Sequence, residues 1–202
     1  MIKTDIFARG TNISLYAMQH RTFAARVYRL IANTDVSLHY MNRRGAGLSV
    51  ARVFGDSLEL HGEIARRRAL IGTQYTFPHN INVVAELYRA GDGLTSREWR
   101  SFTNLAQRDL LDANREYAPL RMARNYSLVR VDIPFFEKND IELIAITNLR
   151  DRSTIARAMF TRKLSSRVAV YLIDTEFSGA RDSELSYIQV KRVATFGARV
   201  YF

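Results

Sequence analysis

The chain has 202 residues, of which 47% are hydrophobic and 25% are charged, with a net charge of +10 and no cysteine. No stretch of about 18 uncharged apolar residues occurs, which excludes a helical membrane protein, whereas membrane β-strands of about 9 to 11 residues with one apolar face fit this composition. The arginines recur along the whole chain. A nucleic-acid reader would concentrate them on one surface, so we predict no nucleic-acid partner.

Apolar and polar side chains alternate in many segments, which predicts β-strands with one apolar and one polar face. The clearest segment is Ser57 to Arg67, where Leu58 and Leu60 share the apolar face while Glu59 and His61 share the polar face. Alternation of this kind predicts about 12 strands. The predicted strand segments are 2–18, 21–31, 34–42, 47–54, 57–67, 69–77, 80–89, 124–133, 141–149, 153–161, 167–174 and 194–202.

The alternation stops between residues 91 and 123. Thr95 and Glu98 have the spacing of a capping box, and apolar residues such as Trp99 follow at helical spacing. We therefore predict a helix of about 20 residues, forming an insertion at residues 94–117. Its apolar side is suited to packing on the rim of the sheet, and plugging a pore is the alternative.

Short turn sequences separate neighbouring segments, so adjacent strands are expected to pair as antiparallel hairpins. Counted back from the C-terminus, short connections near residues 32, 55, 78, 137 and 164 fall on one side, and the longer segments 91–123 and 178–187 fall on the other. Outer-membrane barrels have short periplasmic turns and longer extracellular loops. We therefore predict an all-β fold, an antiparallel up-and-down transmembrane β-barrel with the helical insertion in an extracellular loop. Residues 1–202 would form one domain or the C-terminal part of a larger barrel.

Five segments carry a resemblance to known proteins: Asp56–Glu63, Thr76–Pro78 and Asn82–Arg89 ahead of the helical insertion, then Arg124–Arg130 and the ending Gly197–Phe202. Together they resemble a family of proteobacterial porin-like outer-membrane proteins. The resemblance extends from about residue 34 to the end of the chain and implies a barrel in the bacterial outer membrane.

The resemblance also gives the last strand a role. Its terminal aromatic looks like the signal by which the barrel assembly machinery recognises a last strand, carried here by Phe202 with Phe196 and Val200 on the same face. Members of the family carry a signal peptide and further strands upstream. Because Met1 to Phe7 lacks the apolar core of a secretory signal, we expect the chain to be the C-terminal portion of such a barrel.

The polar faces provide the candidate site, because the charges that line a barrel lumen set its selectivity. The candidate lumen residues are Glu59, His61, Glu63, Arg67, Glu86, Arg124, Arg130 and Arg199. Glu59, His61 and Glu63 could also ligate a divalent metal, but mixed charges that pair across strands are the ordinary content of a lumen wall, so we predict no metal and no cofactor. The basic excess favours anionic solutes in the lumen or arginines that meet lipopolysaccharide phosphates near the rims.

No covalent chemistry is predicted. Four histidines and many serines occur, but the nucleophile elbow Gly-x-Ser-x-Gly and the zinc motif His-Glu-x-x-His are both absent from the sequence. The predicted function is therefore a non-enzymatic, porin-like channel for passive passage of small or anionic solutes, in contact with outer-membrane lipid and lipopolysaccharide. Two alternatives stay open: a soluble β-barrel that binds a ligand in its apolar interior, and a non-conducting structural barrel filled by side chains.

Overall fold

A computed structural model describes residues 2–18, 22–42, 45–106, 108, 124–181, 183–187 and 190–201. These residues form thirteen strands in one sheet, whose order is the order of the chain, and every described pairing is antiparallel. The strands are β1 (Ile2–Ala8), β2 (Thr11–Met18), β3 (Thr22–Ile31), β4 (Thr34–Met41), β5 (Gly45–Phe54), β6 (Leu58–Ala65), β7 (Arg68–Thr76), β8 (Asn82–Ala90), β9 (Asn125–Phe135), β10 (Asn139–Asn148), β11 (Thr154–Lys163), β12 (Val168–Ser178) and β13 (Arg192–Val200).

Helical structure is sparse among the described residues. The α-helix α1 spans Ser96–Ala106, and two 3-10 turns span Pro78–Asn80 and Glu184–Tyr187. None of these is long and apolar enough to span a bilayer. The structure confirms the predicted helix at its N-terminal part, whereas residues 107 and 109–117 of the predicted insertion lie outside the described residues.

The predicted all-β, antiparallel, up-and-down order is confirmed, and the described residues contain thirteen strands where about 12 were predicted. The extra strand comes from the predicted segment 2–18, which holds both β1 and β2. Arg9 and Gly10 separate them with φ values of 47° and 74°. Two central residues with positive φ are typical of the tight turn that matches the twist of a β-hairpin. Ala32 and Asn33 close the β3–β4 hairpin in the same way, with φ values of 47° and 59°.

The chain divides into two compact units within the last residues of β7, Met1–Gln74 and Tyr75–Phe202. Within the first unit, cross-strand register places Ile13, Val27, Leu38, Leu48 and Ile64 in one row. The apolar face of the first unit carries this row together with Ile6, Leu15, Val36, Val50 and Leu60. The polar face of the first unit carries Asp5, Ser14, Arg26, Tyr28, Asp35, Ser37, His39, Ser49, Glu59, His61 and Glu63.

The same alternation recurs within the second unit. One row across five strands contains Ile133, Ile141, Phe160, Leu172 and Phe196. The apolar face of the second unit consists of this row with Val83, Ala85, Leu87, Val129, Val131, Leu143, Ala156, Ala158, Val170 and Val200. Its polar face carries Glu86, Tyr126, Arg130, Asp132, Asp140, Glu142, Asn148, Arg157, Thr175, Thr195 and Arg199.

Exposure on the two faces is the reverse of that in a water-soluble protein. On the apolar face of the first unit, Leu38 is 56% exposed and Ile64 is 57% exposed, whereas Ser14 and Ser37 on its polar face are buried. Soluble proteins bury such apolar side chains and leave serine outside. The sheet therefore presents its hydrocarbon surface to its surroundings and shelters part of its polar surface.

Candidate functional site

The polar face of the first unit borders a cavity of about 400 Å³. Its polar lining residues are Arg26, Tyr28, Asp35, Ser37, Ser49, His61 and Glu63. Side chains on neighbouring strands pair there: Arg26 Nε donates to Ser37 Oγ at 2.7 Å, and the Tyr28 hydroxyl donates to Asp35. Four of the polar side chains that line the cavity are therefore hydrogen-bonded to one another in pairs across neighbouring strands.

The three residues considered as metal ligands lie on this polar face but pair in different directions. His61 Nδ1 lies 3.3 Å from Glu59 Oε1, whereas Glu63 Oε1 lies 3.7 Å from His39 Nε2. Within the described part of the chain, no group of three or more histidine, cysteine, aspartate or glutamate side chains is arranged to hold a metal ion. The geometry is that of histidine–carboxylate pairs on a polar wall.

An alternating charge ladder occupies the polar face of the second unit. Arg130 Nη2 on β9 lies 3.1 Å from Glu142 Oε2 on β10 and 3.0 Å from Asp132 Oδ1. Arg157 Nη2 on β11 approaches the other oxygen of Glu142 at 3.8 Å. The Glu142 side chain is only 17% exposed, so its charge is partly sheltered from water and is balanced by two guanidinium groups.

Bases and acids are balanced on this polar face, so the net positive charge of the chain does not arise there. At polar-face positions of strands β8 to β13, the basic side chains are Arg130, Arg157, Lys163 and Arg199. The acidic side chains at such positions are Glu86, Asp132, Asp140 and Glu142. Arginines instead interrupt the apolar faces near the ends of strands, as Arg29, Arg52, Arg89, Arg162 and Arg192 do.

The structure places six of the eight predicted lumen residues on a polar face of their own unit: Glu59, His61, Glu63, Glu86, Arg130 and Arg199. Arg67 lies elsewhere, in the two-residue turn between β6 and β7, because β6 ends at Ala65. Arg124 precedes β9, and its Nε donates to the Gly93 carbonyl at 3.0 Å, which ties it to the long β8–β9 connection. The predicted strands extended beyond the observed end of β6 and the observed start of β9.

Two of the three candidate assembly residues, Phe196 and Val200, lie on the apolar face of the second unit. Phe196 is 74% exposed and Val200 is 53% exposed, while Phe202 lies outside the described residues.

Helix α1 begins with the predicted capping box. The Thr95 backbone N donates to Glu98 Oε2 at 2.7 Å, and the Glu98 backbone N donates to Thr95 Oγ1 at 3.2 Å. Next to this capping box, Leu94, Trp99 and Phe102 pack together as a small core and are at most 8% exposed. The capping box fixes the start of α1, and the apolar cluster holds it in place.

Two further connections meet at the same end of the second unit. In the β10–β11 connection, the Arg150 guanidinium lies 4.5 Å from the centre of the Trp99 ring. In the β12–β13 connection, Glu184 accepts hydrogen bonds from the Tyr126 hydroxyl at 2.8 Å and from Asn148 Nδ2 at 3.0 Å. We call these connections with α1 the cap. Sequence reasoning missed Glu184, because its partners lie 36 and 58 residues away in the chain.

Comparisons of the chain with protein families, with curated proteins and with solved structures found no match in any of the three.

Proposed function

We propose that the chain forms, or forms part of, an outer-membrane β-barrel whose apolar face contacts lipid and whose polar face lines a passive path for small solutes, anionic ones included. The observation that carries this proposal is the reversed exposure of the two faces. On the second unit, Leu172 is 50% exposed and Phe196 is 74% exposed, while the carboxylate of Glu142 is sheltered.

Free energy explains why this exposure points to lipid. Full burial of one large apolar side chain is worth about 1.5 to 3 kcal/mol, and soluble monomers rarely expose contiguous apolar patches larger than a few hundred Å². A continuous apolar row across five strands would be costly in water. In hydrocarbon the same row is favourable, and the hydrogen bonds between strands satisfy the backbone, as a bilayer requires.

The direction of the apolar stretch also supports a tilted membrane strand. On β8 it extends from Val83 to Leu87, level with Val131 to Ser127 of β9. On β13 the apolar stretch extends from Ala194 to Val200. In the cross-strand register Ala194 is level with Val131 of β9, and the rest of the stretch continues toward Phe135, away from Ser127. The midpoints of the two stretches differ by about five residues over five strand steps, which corresponds to a tilt of roughly 35°. Strands of outer-membrane barrels tilt by about 35 to 45°.

Closure adds a requirement to the proposal. In an up-and-down sheet of thirteen strands, β1 and β13 run in the same direction. An all-antiparallel barrel needs an even number of strands. We therefore expect at least one further strand to take part in the closed barrel.

Reconstitution into planar bilayers tests the proposed path. We expect steady conductance, and because Glu142 would line the path, Glu142→Gln should shift selectivity toward anions by leaving Arg130 and Arg157 less neutralised. Glu137→Gln in the short β9–β10 turn is the matched control and should leave selectivity unchanged. A membrane that stays sealed after insertion would contradict passive transport.

A non-conducting structural barrel is the second candidate. It is favoured by the way polar-face charges neutralise one another, as Glu142 does with Arg130 and Arg157. It predicts stable insertion without conductance. A soluble ligand-binding barrel would turn its oily face inward, and the exposed fractions of Leu60 (47%) and Val200 (53%) count against that hypothesis. Recovery of the protein in the soluble fraction, with urea-washed membranes empty, would revive it.

A further inference from the structure

The β12–β13 connection takes an indirect route between two adjacent strands. Ser178 ends β12 and Arg192 begins β13, and these strands are direct neighbours in the sheet. A tight turn of a few residues would suffice to join them. Instead the described part of the connection reaches the start of β9 and the end of β10 through the 3-10 turn Glu184–Tyr187.

Glu184 fixes this route. Its two carboxylate oxygens lie 2.8 and 2.9 Å from the Tyr126 hydroxyl, and the second also accepts from Asn148 Nδ2 at 3.0 Å. Tyr126 and Asn148 are direct cross-strand partners and belong to the polar face of the second unit. The 3-10 turn is therefore held on the polar side of the sheet and not on its apolar side.

The 3-10 turn Glu184–Tyr187 lies across the ends of neighbouring strands, and we call it the bridge. From β12 to β10 and β9 the connection passes two to three strand spacings, which is roughly 10 to 14 Å. Below Tyr126 and Asn148, the next row of the polar face is half-buried and apolar, and it consists of Leu128, Ile146, Ile155 and Phe177. In a closed barrel the polar side of the sheet would face the lumen, so a segment held on this side would occupy part of the cross-section of the path.

Further hydrogen bonds and close packing hold the bridge in place. The Glu184 backbone N donates to Asp151 Oδ2 at 2.8 Å, and Asp151 Oδ1 accepts from the Ser153 hydroxyl at 2.7 Å. Asn148, Ser153 and Ser183 are at most 2% exposed. Ser183 packs so closely on Gly179 that a Cβ at residue 179 would collide with it. The hydrogen bonds of Glu184 with Tyr126, Asn148 and Asp151 therefore hold the segment on the polar side of the sheet.

We infer that residues 183–187 form a fixed constriction at the long-connection end of the solute path, with Glu184 as the positioning residue that holds it there. This inference rests on the proposed function, because it assigns to the polar face the narrowest point of the path. The constriction limits the size of the solutes that pass, and loss of the Glu184 anchor widens the path.

Single-channel recording of the full chain in planar bilayers, with neutral polymers of graded size added, tests the constriction. Glu184→Ala should raise conductance by at least about twofold and admit larger polymers, because the freed segment no longer spans the polar face. Tyr126→Phe removes one hydroxyl and should give a smaller increase in the same direction. It also serves as the second variant if Glu184→Ala fails to fold. Glu137→Ala, in a short turn, is the matched control and should behave as the parent protein.

The outcomes separate the constriction from the proposed function. A conducting parent with unchanged conductance in Glu184→Ala and Tyr126→Phe overturns the constriction and leaves the proposed function standing. A sealed parent with a conducting Glu184→Ala variant supports the constriction, now as a plug, and overturns passive transport by the intact protein. If parent and variants all insert and all remain sealed, both proposals fall.

Discussion

The strands of the second unit and its cap treat apolar side chains in opposite ways. On the strands, Leu172 and Phe196 are 50% and 74% exposed. In the cap, Leu94, Trp99 and Phe102 are 2%, 8% and 5% exposed. One chain thus follows the rule of a water-soluble core in one region and the reverse rule in the other.

The proposed membrane location accounts for the difference through the surroundings of each region. The cap buries its hydrocarbon and starts α1 with a hydrogen-bonded capping box, as a segment in water must. The strands keep charges such as Glu142 on the sheltered face and carry hydrocarbon outside, which is favourable where the surroundings are themselves hydrocarbon. The contrast therefore supports an account in which the sheet lies in lipid and the cap lies in water.

Removing the centre of the cap should have the largest effect. Trp99→Ala is expected to destabilise the cap by about 3 to 5 kcal/mol, because a buried ring that packs on Phe102 and Arg150 is lost. Amide hydrogen exchange should accelerate throughout α1 while the strands keep their protection. Arg100→Ala, an exposed position on the same helix, is the control and should change little. Equal acceleration in both variants would mean that the cap has no core of its own.

A charge placed on the apolar face should have the next largest effect. Phe196→Arg is expected to cost about 2 to 4 kcal/mol in lipid vesicles, because the guanidinium would enter hydrocarbon. Thr195→Arg, one residue away on the polar face, should cost less than about 1 kcal/mol. Reversible chemical unfolding in vesicles measures both. Similar costs for the two variants would contradict a lipid contact at Phe196.

Gly197 tests the packing of the polar face. It is the cross-strand partner of Tyr171, whose ring covers it so closely that a Cβ there would collide with the ring. Gly197→Ala should cost about 1 to 3 kcal/mol in the same unfolding assay. Adding Tyr171→Leu should recover part of the loss, and a double variant no more stable than Gly197→Ala would argue against this packing.

Thr95→Ala tests the start of the cap, where the expected effect is the smallest. Loss of the hydrogen bond from the Glu98 backbone N to Thr95 Oγ1 should destabilise α1 by about 1 kcal/mol. Hydrogen exchange should quicken in the first turn of α1 and remain slower than in Trp99→Ala. An unchanged first turn would mean that packing of Trp99 alone positions the helix.

Local patterns predicted the strands and the start of α1, because alternation and capping depend on residues close together in sequence. The Arg9–Gly10 turn was missed because Ile2 to Met18 is strand-like throughout and arginine is an uncommon residue at positive φ. Arg67 and Arg124 were placed on strands because alternation does not mark where a strand ends.

Such local patterns could not predict the hydrogen-bond network of the cap. Glu184 and its partners Tyr126 and Asn148 come together only because β9, β10 and β12 lie near one another in the sheet. The one local hint was the run from Asn148 to Ser153, where Asp151 and Asn148 bond the backbone two residues ahead, as turn-forming residues do.

Spin labelling along β13 tests the central claim most directly, and the native chain simplifies it because it contains no cysteine. Single cysteines at residues 193 to 200 would be labelled and the protein reconstituted into vesicles. Labels at Ala194, Phe196, Ala198 and Val200 should be relaxed strongly by oxygen, which dissolves in lipid, and weakly by a water-soluble nickel chelate. Labels at Val193, Thr195 and Arg199 should show the opposite preference. High nickel accessibility at Phe196 and Ala198 would contradict the claim that the apolar face lies in a membrane.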